Sequence, residues 1–460
     1  MGKLHNGVSA FLTRFFSTNT MSWRDVFALL GPVMVDQFFL IGFNFINTAM
    51  ISSSGTAAIS AVNMVSALNI CFIQLFVAFG LGGTVLIAQY FGAGRRDMMG
   101  RVCNGTVYGT LIAATSLAIT FGILHIPVLT LLFGRASGPV MANAKIYMVG
   151  TLLAYPGESI VEGVNGCLRG VGRTAISLEL SLLMNGVYLA FNFIFVTFMH
   201  MGVLGLVCSL NVSRLTAATV AIWTLYRNRA AFDLDFRLFK RVDWRMVKRV
   251  LTVAVPFATE SFFFNGGKII MQIMIVSLGT LMITANAIAS SWVQLSEIIP
   301  NALSVALVPI VGRCVGRRHV GDARKITKSF LLLGSAAFII VDLSMLPLFH
   351  VGMSLFNAPK SILPVIWQIE LLITVMHCLV WCASFVLPAA LRAAGDAKFT
   401  TVTALITMWS FRVAGGYLVG IVWGYGIVGI WLIMMLEWAL RAGIFLLRFR
   451  GKRWFIHKLI

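Results

Sequence analysis

Charge is what this chain has least of. Asp, Glu, Lys and Arg make up 11% of its 460 residues while 59% are apolar, and the mean hydropathy is +0.90. Those values exclude a soluble globular domain. Alternating strand patterns are missing too, which disfavours a β-barrel and leaves a helical bundle to satisfy backbone groups in lipid. Seven cysteines form no disulfide framework. Most fall in apolar runs, and Cys378 and Cys382 are one helical turn apart rather than in a CxxC redox or zinc spacing. No cleavable signal is expected, because residues 1–24 are mixed and the first apolar run is long enough to span. Met1-Gly2 has no Ser or Thr at position 6 after it, so myristoylation is not expected.

What is present is a succession of apolar runs of about 20 residues, each able to cross ~30 Å of hydrocarbon at a helical rise of 1.5 Å per residue. Twelve spans are expected, near 26–51, 60–91, 103–133, 143–166, 175–199, 203–225, 250–277, 283–311, 325–350, 362–391, 399–421 and 426–447. Lys and Arg number 36 against 16 Asp and Glu, a net charge of +20. Such an excess would suit nucleic acid, but its placement speaks for membrane topology. Arg135, Lys145 and Lys360 fall in connections on one side, and Arg214, Lys268, Arg412 and Arg441 fall within spans. The others lie in the termini and the loops of the opposite side, which the positive-inside rule makes cytoplasmic. The implied contacts are anionic lipid headgroups and not nucleic acid.

The chain also repeats itself. Pro32, Asp36, Gly55, Thr56 and Gly92 recur as Pro256, Glu260, Gly279, Thr280 and Gly316, each 224 positions on, as do Gly202 and Gly205 in Gly426 and Gly429. Leu168-Arg169 recurs as Leu391-Arg392, one residue short of that offset. A duplication of this length in an apolar chain suggests two related bundles, the build of a transporter. The expected organisation is a cytoplasmic segment 1–24, an N-lobe 25–225, a cytoplasmic linker 226–249, a C-lobe 250–447 and a basic tail 448–460. The linker carries Arg227, Arg229, Arg237, Lys240, Arg241, Arg245, Lys248 and Arg249, with an amphipathic pattern from Phe236 to Val247 that suits the membrane interface. Gly55 and Gly279 follow the first helix of each half, where a left-handed C′ residue is needed. The glycine turns Gly92-Ala93-Gly94 and Gly312 to Gly316 are not phosphate cradles, since neither follows a strand and no GKS or GKT is present.

Several of these stretches carry a resemblance. Pro32, Gly55-Thr56 and Ala88-Gln89-Tyr90-Phe91-Gly92-Ala93-Gly94, with Leu168-Arg169-Gly170-Val171-Gly172 and Leu391-Arg392-Ala393-Ala394-Gly395-Asp396, resemble the motifs of the MATE (multidrug and toxic compound extrusion) transporters. Gly202-Val203-Leu204-Gly205 and Gly426-Ile427-Val428-Gly429 complete the set, which covers about residues 25–450 in the family's order. The resemblance implies an all-α membrane protein with twelve transmembrane helices in two pseudo-symmetric six-helix lobes. It further implies antiport of organic substrates out of the cytoplasm against H⁺ or Na⁺, in the bacterial inner membrane. No cofactor beyond the coupling ion is expected, and a monomer is expected.

The chain departs from the family at its best-known carboxylates. Where the resemblance places Asp in the first and fifth helices, Asn47 and Asn192 stand. Where it places Glu in the seventh helix and Asp in the tenth, Phe264 and Trp381 stand. Other residues must therefore carry the coupling. Ionisable side chains within spans are functional candidates, since each costs at least ~2.5 kcal/mol to place in hydrocarbon. Asp36 and Glu260 each sit one turn past their proline, where they either bind a proton or, near a helix start, cap it or pair with a neighbour. Lys268, two turns beyond Glu260, and Arg412 either attract an anionic part of a substrate, pair with Glu260, or form a fixed buried ion pair. Glu158 and Glu162 are one turn apart and repel, so they either share a proton or hold basic partners such as Arg169. Arg441 is expected to pair with Glu437 at i,i+4. Glu297, Asp342, Glu370 and His377 form a second rank.

Three other readings compete, of which a channel fits duplicated lobes with midplane charges less well than alternating access does. A lipid-linked oligosaccharide flippase of the same superfamily would also suit buried Lys and Arg. A membrane enzyme is disfavoured, because no HExxH, paired acidic metal motif or nucleophile constellation occurs in the spans. The substrates expected of an exporter are drugs, dyes or flavin-like metabolites; the retained intramembrane cations incline the reading toward those with an anionic part.

Overall fold

The computed structural model describes residues 9–10, 12–52, 56–134, 137–234, 241–356, 358–455 and 459, without the side chains of 44, 45, 47–52 and 56. Among the described residues every regular element is helical. The principal helices are α1 (Trp23–Ser52), α2 (Thr56–Gly92), α3 (Arg96–Phe133), α4 (Gly138–Gly170), α5 (Thr174–Asn192), α6 (Gly202–Arg227), α7 (Trp244–Ser277), α8 (Thr280–Ser296), α9 (Ile298–Gly316), α10 (Val320–Leu355), α11 (Leu363–Met376), α12 (Ala397–Ile406) and α13 (Gly426–Arg450). Among the described residues ten helical stretches are long and apolar enough to cross a membrane. The two long helices that fall short of that threshold are α4, which carries Glu158 and Glu162, and α7, which carries Glu260 and Lys268.

Local chemistry explains where the helices depart from the expected spans. The span expected over 283–311 is two helices, because Pro300 has no N–H and its ring clashes with the carbonyl four residues back, at Ser296. α7 begins at Trp244 rather than near 250, since the Asp243 carboxylate accepts the Met246 N–H at 3.2 Å and caps it. Gly279 takes φ +98°, as its place between α7 and α8 requires, and its counterpart Gly55 lies outside the described residues. The amphipathic stretch expected in the linker also lies largely outside them, over 235–240. Wide π-type turns extend α5 (Phe193–Phe198), α11 (His377–Trp381) and α12 (Thr407–Val413). Such turns are rare and concentrate at functional sites.

The described chain packs as two compact units, one of Val35–Ser261 and one of Met1–Met34 with Phe262–Ile460. The boundaries fall within α1 and α7 and not in the 226–249 connection. In the first unit α4 is central, packed by α2, α3 and α6. Lipid tails supply no hydrophobic drive between helices, so close backbone approach at small residues has to. A Cβ on Gly80 would come 2.7 Å from the Glu162 carbonyl oxygen, and one on Gly166 would run into the Gly80 backbone. Thr84 closes the same contact by donating to the Gly166 carbonyl at 2.8 Å. In the second unit, the N-terminal segment is tied to α10. The Thr20 N–H donates to Asp322 at 2.9 Å, and Arg317 donates to the Thr20 carbonyl at 3.0 Å.

Candidate functional site

In the unit Val35–Ser261 the close packing of α4 assembles five charges. Gly157 lets α6 approach, its absent Cβ lying 3.0 Å from the Arg214 carbonyl oxygen. That approach puts the Arg214 guanidinium on Glu158, one residue further along α4, as a tight ion pair. On the next turns of α4, Arg169 lies with its Nη2 3.7 Å from Asp36 Oδ2 of α1, and its Nε donates to Ser177 at 3.1 Å. Glu162 stands between these pairs, half-buried, within electrostatic reach of Arg169, Arg214, Glu158 and Asp36. No hydrogen bond or ion pair engages its carboxylate among the described residues. Three carboxylates thus face two guanidiniums, and Glu162 is the one left over.

A cavity of about 290 Å³ opens beside this cluster, lined by the Glu158–Arg214 pair, by Tyr147, Tyr155 and Tyr188, and by Asn69. Its polar groups are neutral apart from the one ion pair. It can take a molecule with aromatic and hydrogen-bonding character.

The unit Met1–Met34 with Phe262–Ile460 has the opposite balance near the middle of α7. Arg412, 3% exposed, gives its Nη2 to Glu437 Oε2 at 2.6 Å. Arg441 reaches the other oxygen of the same carboxylate at 3.4 Å, at i,i+4. Lys268 makes no ion pair among the described residues. Its Nζ lies 5.0 Å from the centre of the Phe264 ring, and the Arg412 Cζ lies 5.3 Å from that centre. Deeper in the unit His377 is fully buried, with Nδ1 3.0 Å from Asp342 Oδ2 and Nε2 4.0 Å from Glu297 Oε1. Trp381 donates its indole N–H to the same Glu297 oxygen at 3.2 Å.

The structure therefore brings Asp36, Glu158 and Glu162 into one cluster with Arg169, and Lys268 into another with Arg412. The ion-pair partner of Arg412 is Glu437, across helices α12 and α13. Glu260 lies half-buried on α7, one turn past Pro256, within the first unit. Of the positions where the family motif carries acids, Phe264 lies under two cations and Trp381 serves Glu297. Asn192 is fully buried at the end of α5. Asn47 lies on α1, its side chain outside the described residues. Two partners were hidden in the sequence, Arg214 and Glu437. The signal for Arg214 was Gly157 beside Glu158, which marks where another helix must come close.

A duplicated all-helical membrane bundle with midspan charges, a polar cavity and no nucleophile constellation in its spans has the build of a secondary transporter. The MatE family model matches the chain twice, over residues 32–194 and 256–418, the same offset of 224 that the repeat shows. The protein belongs to the MATE family of multi-pass membrane transporters. Among curated relatives it is 23% identical over 440 residues to the uncharacterized transporter YisQ of Bacillus subtilis, covering 94% of each chain. It is 24% identical to the probable multidrug resistance protein NorM of Thermotoga maritima, covering 94% of this chain and 93% of that one. Among solved structures, a mutant of the Vibrio cholerae MATE transporter VcmN superposes with a TM-score of 0.86 at 14% identity, covering 98% and 99% of the two chains. A MOP superfamily transporter from Pyrococcus furiosus, whose binding pocket is described as having reverse polarity, superposes at 0.83 with 18% identity, covering 93% and 94%. These two likenesses establish the shared two-lobe, twelve-helix fold.

Proposed function

We propose that the protein exports organic small molecules across the bacterial inner membrane in exchange for protons, as a monomer with both termini cytoplasmic and no cofactor. The observation that carries the reading is Glu162, the unmatched carboxylate among Asp36, Glu158, Arg169 and Arg214. A proton suits this site better than Na⁺. Sodium would need several oxygen ligands around it, and the two guanidiniums beside Glu162 repel a metal cation, whereas a proton neutralises one carboxylate in place. With Glu162 protonated, two acids match two bases. When it gives up its proton, it competes with Asp36 for Arg169, whose 3.7 Å contact with Asp36 is loose enough to be contested. Such a redistribution biases one conformation over another, which is how ion binding drives alternating access. Asp36 and Glu260, at equivalent places in the repeat, are the supporting acids.

Relatives that bear the name multidrug resistance protein support drugs as cargo; dyes and flavin-like metabolites are the other candidates. Nothing in the geometry favours the oligosaccharide flippase. The test is transport by proteoliposomes under an imposed H⁺ or Na⁺ gradient, with ethidium and riboflavin assayed in parallel. Proton-driven accumulation is expected. Accumulation under Na⁺ alone would replace the coupling ion, and none under either gradient would remove the antiporter reading.

A further inference from the structure

Near the middle of α7 three cations, Lys268, Arg412 and Arg441, gather around the one carboxylate in ion-pair contact with them, Glu437, and the local excess surfaces at one place. α7 and α12 approach closely because Gly267 is bare: a Cβ there would run into the Met408 side chain, and Met271 Sδ sits 3.4 Å from where a Cβ of Gly416 would be. This approach places the centre of the Phe264 ring 5.0 Å from Lys268 Nζ and 5.3 Å from Arg412 Cζ. Two cations on one ring are drawn to it but repel one another. Glu437 already serves both Arg412 and Arg441, so its single charge is spent inside the bundle. Among the described residues the acid within electrostatic reach of Lys268 is Glu297, and its oxygen accepts from Trp381 and faces His377. Arg412 retains a buried Nε donor with no acceptor.

Lys268 is an exposed residue, unlike Arg412 and Arg441 behind it. Beside it Phe263, 41% exposed, meets Trp409, 36% exposed, edge to face with centroids 6.2 Å apart. We infer that Lys268, Phe264, Arg412 and Trp409 form a binding site for an organic anion that carries an aromatic ring. The acid group meets the Lys268 ammonium, with the field of Arg412 behind it, and the ring lies against Trp409 and Phe263. The site narrows the cargo of the exporter proposed above, and rests on that reading for its physiological sense.

Binding to the detergent-solubilised full chain, with no gradient present, tests it apart from ion coupling. Fluorescence anisotropy of fluorescein, an aromatic carboxylate, is titrated against the native protein, Lys268→Gln and Lys268→Arg, with ethidium as the cationic counterpart. Saturable fluorescein binding is expected, weakened at least about tenfold by Lys268→Gln, as loss of a charge-assisted contact implies, and largely restored by Lys268→Arg. Ethidium binding should be unchanged or tighter in Lys268→Gln. An aromatic phosphate, naphthyl phosphate, in competition shows whether the site takes either anion; displacement of fluorescein fits the proposal. Unchanged fluorescein affinity in Lys268→Gln, or native protein that binds ethidium alone, overturns it. Intact fluorescein binding without proton-driven transport would instead remove the coupling reading and leave the anion site standing.

Discussion

Arg214 of α6 holds Glu158 of α4, and that pairing decides which carboxylate of the cluster is left over. Carboxylates one helical turn apart repel by about 3 kcal/mol at ~6 Å and an effective dielectric of ~20. A guanidinium in contact recovers about 4 kcal/mol for the acid it touches under the same dielectric. Glu158 is therefore compensated, and Glu162 is not. Arg169 is engaged with Asp36, so any claim Glu162 makes on it comes at Asp36's expense.

Glu162→Gln should accordingly keep substrate exchange between equal concentrations and lose transport driven by a proton gradient, by at least tenfold. Glutamine preserves size and hydrogen bonding and removes only the titration. Counterflow and gradient-driven uptake measured on the same proteoliposomes separate the two. Gradient-driven uptake within twofold of native would take Glu162 out of the coupling.

The helices were legible in the sequence because apolar runs of membrane length admit little else, and the repeat at 224 showed the two-fold build before any coordinate. Partner choice was not legible. For Arg412 the sequence left open a substrate anion, Glu260 or a fixed buried ion pair, and it did not point to Glu437, 25 residues away, which holds it. Arg441 with Glu437 was foreseen, since i,i+4 is a local relation that survives any tertiary arrangement. The break before Pro300 was likewise present in the sequence, hidden inside a continuous apolar run. Contacts between helices depend on rotation and depth, which a one-dimensional pattern of apolar residues does not carry.

The Arg412–Glu437–Arg441 triad makes an ordered prediction about stability. Glu437→Gln leaves two buried guanidiniums without a counter-charge and should cost about 3–5 kcal/mol. Arg412→Met leaves Glu437 its contact with Arg441 and should cost distinctly less. Thermal midpoints of the two variants in one detergent check the order. Equal losses would mean that Arg441 contributes no compensation.

Gly166→Ala tests the contact that positions Glu162. Alanine is favoured over glycine within a helix by about 1 kcal/mol, but a Cβ there collides with the Gly80 backbone, and overpacking costs typically 1–3 kcal/mol. The clash should win, lowering the thermal midpoint. Gly122→Ala on α3, with nothing within 4 Å of its Cβ, is the control and should leave the midpoint unchanged or raise it.

Asp243, outside the membrane at the start of α7, gives the pH dependence a sign. Partial burial works against its charge, but Arg101, at 2.9 Å from Nε and 2.8 Å from Nη2, and the Met246 N–H outweigh it and hold the carboxyl below its ordinary value. A folded-state pKa below the unfolded one means the folded state binds the proton less readily. The contribution is therefore complete above the ordinary carboxylate value of ~3.9 and is lost as pH falls through the depressed folded value. Asp243→Asn keeps the capping oxygen and removes the charge. It should lower stability by about 1 kcal/mol or less at pH 7, since the Arg101 partner is partly exposed. The gap between native and variant midpoints should then close as the buffer is taken below about pH 4. A gap undiminished at pH 3 would assign the stabilisation to the cap geometry and not to the charge.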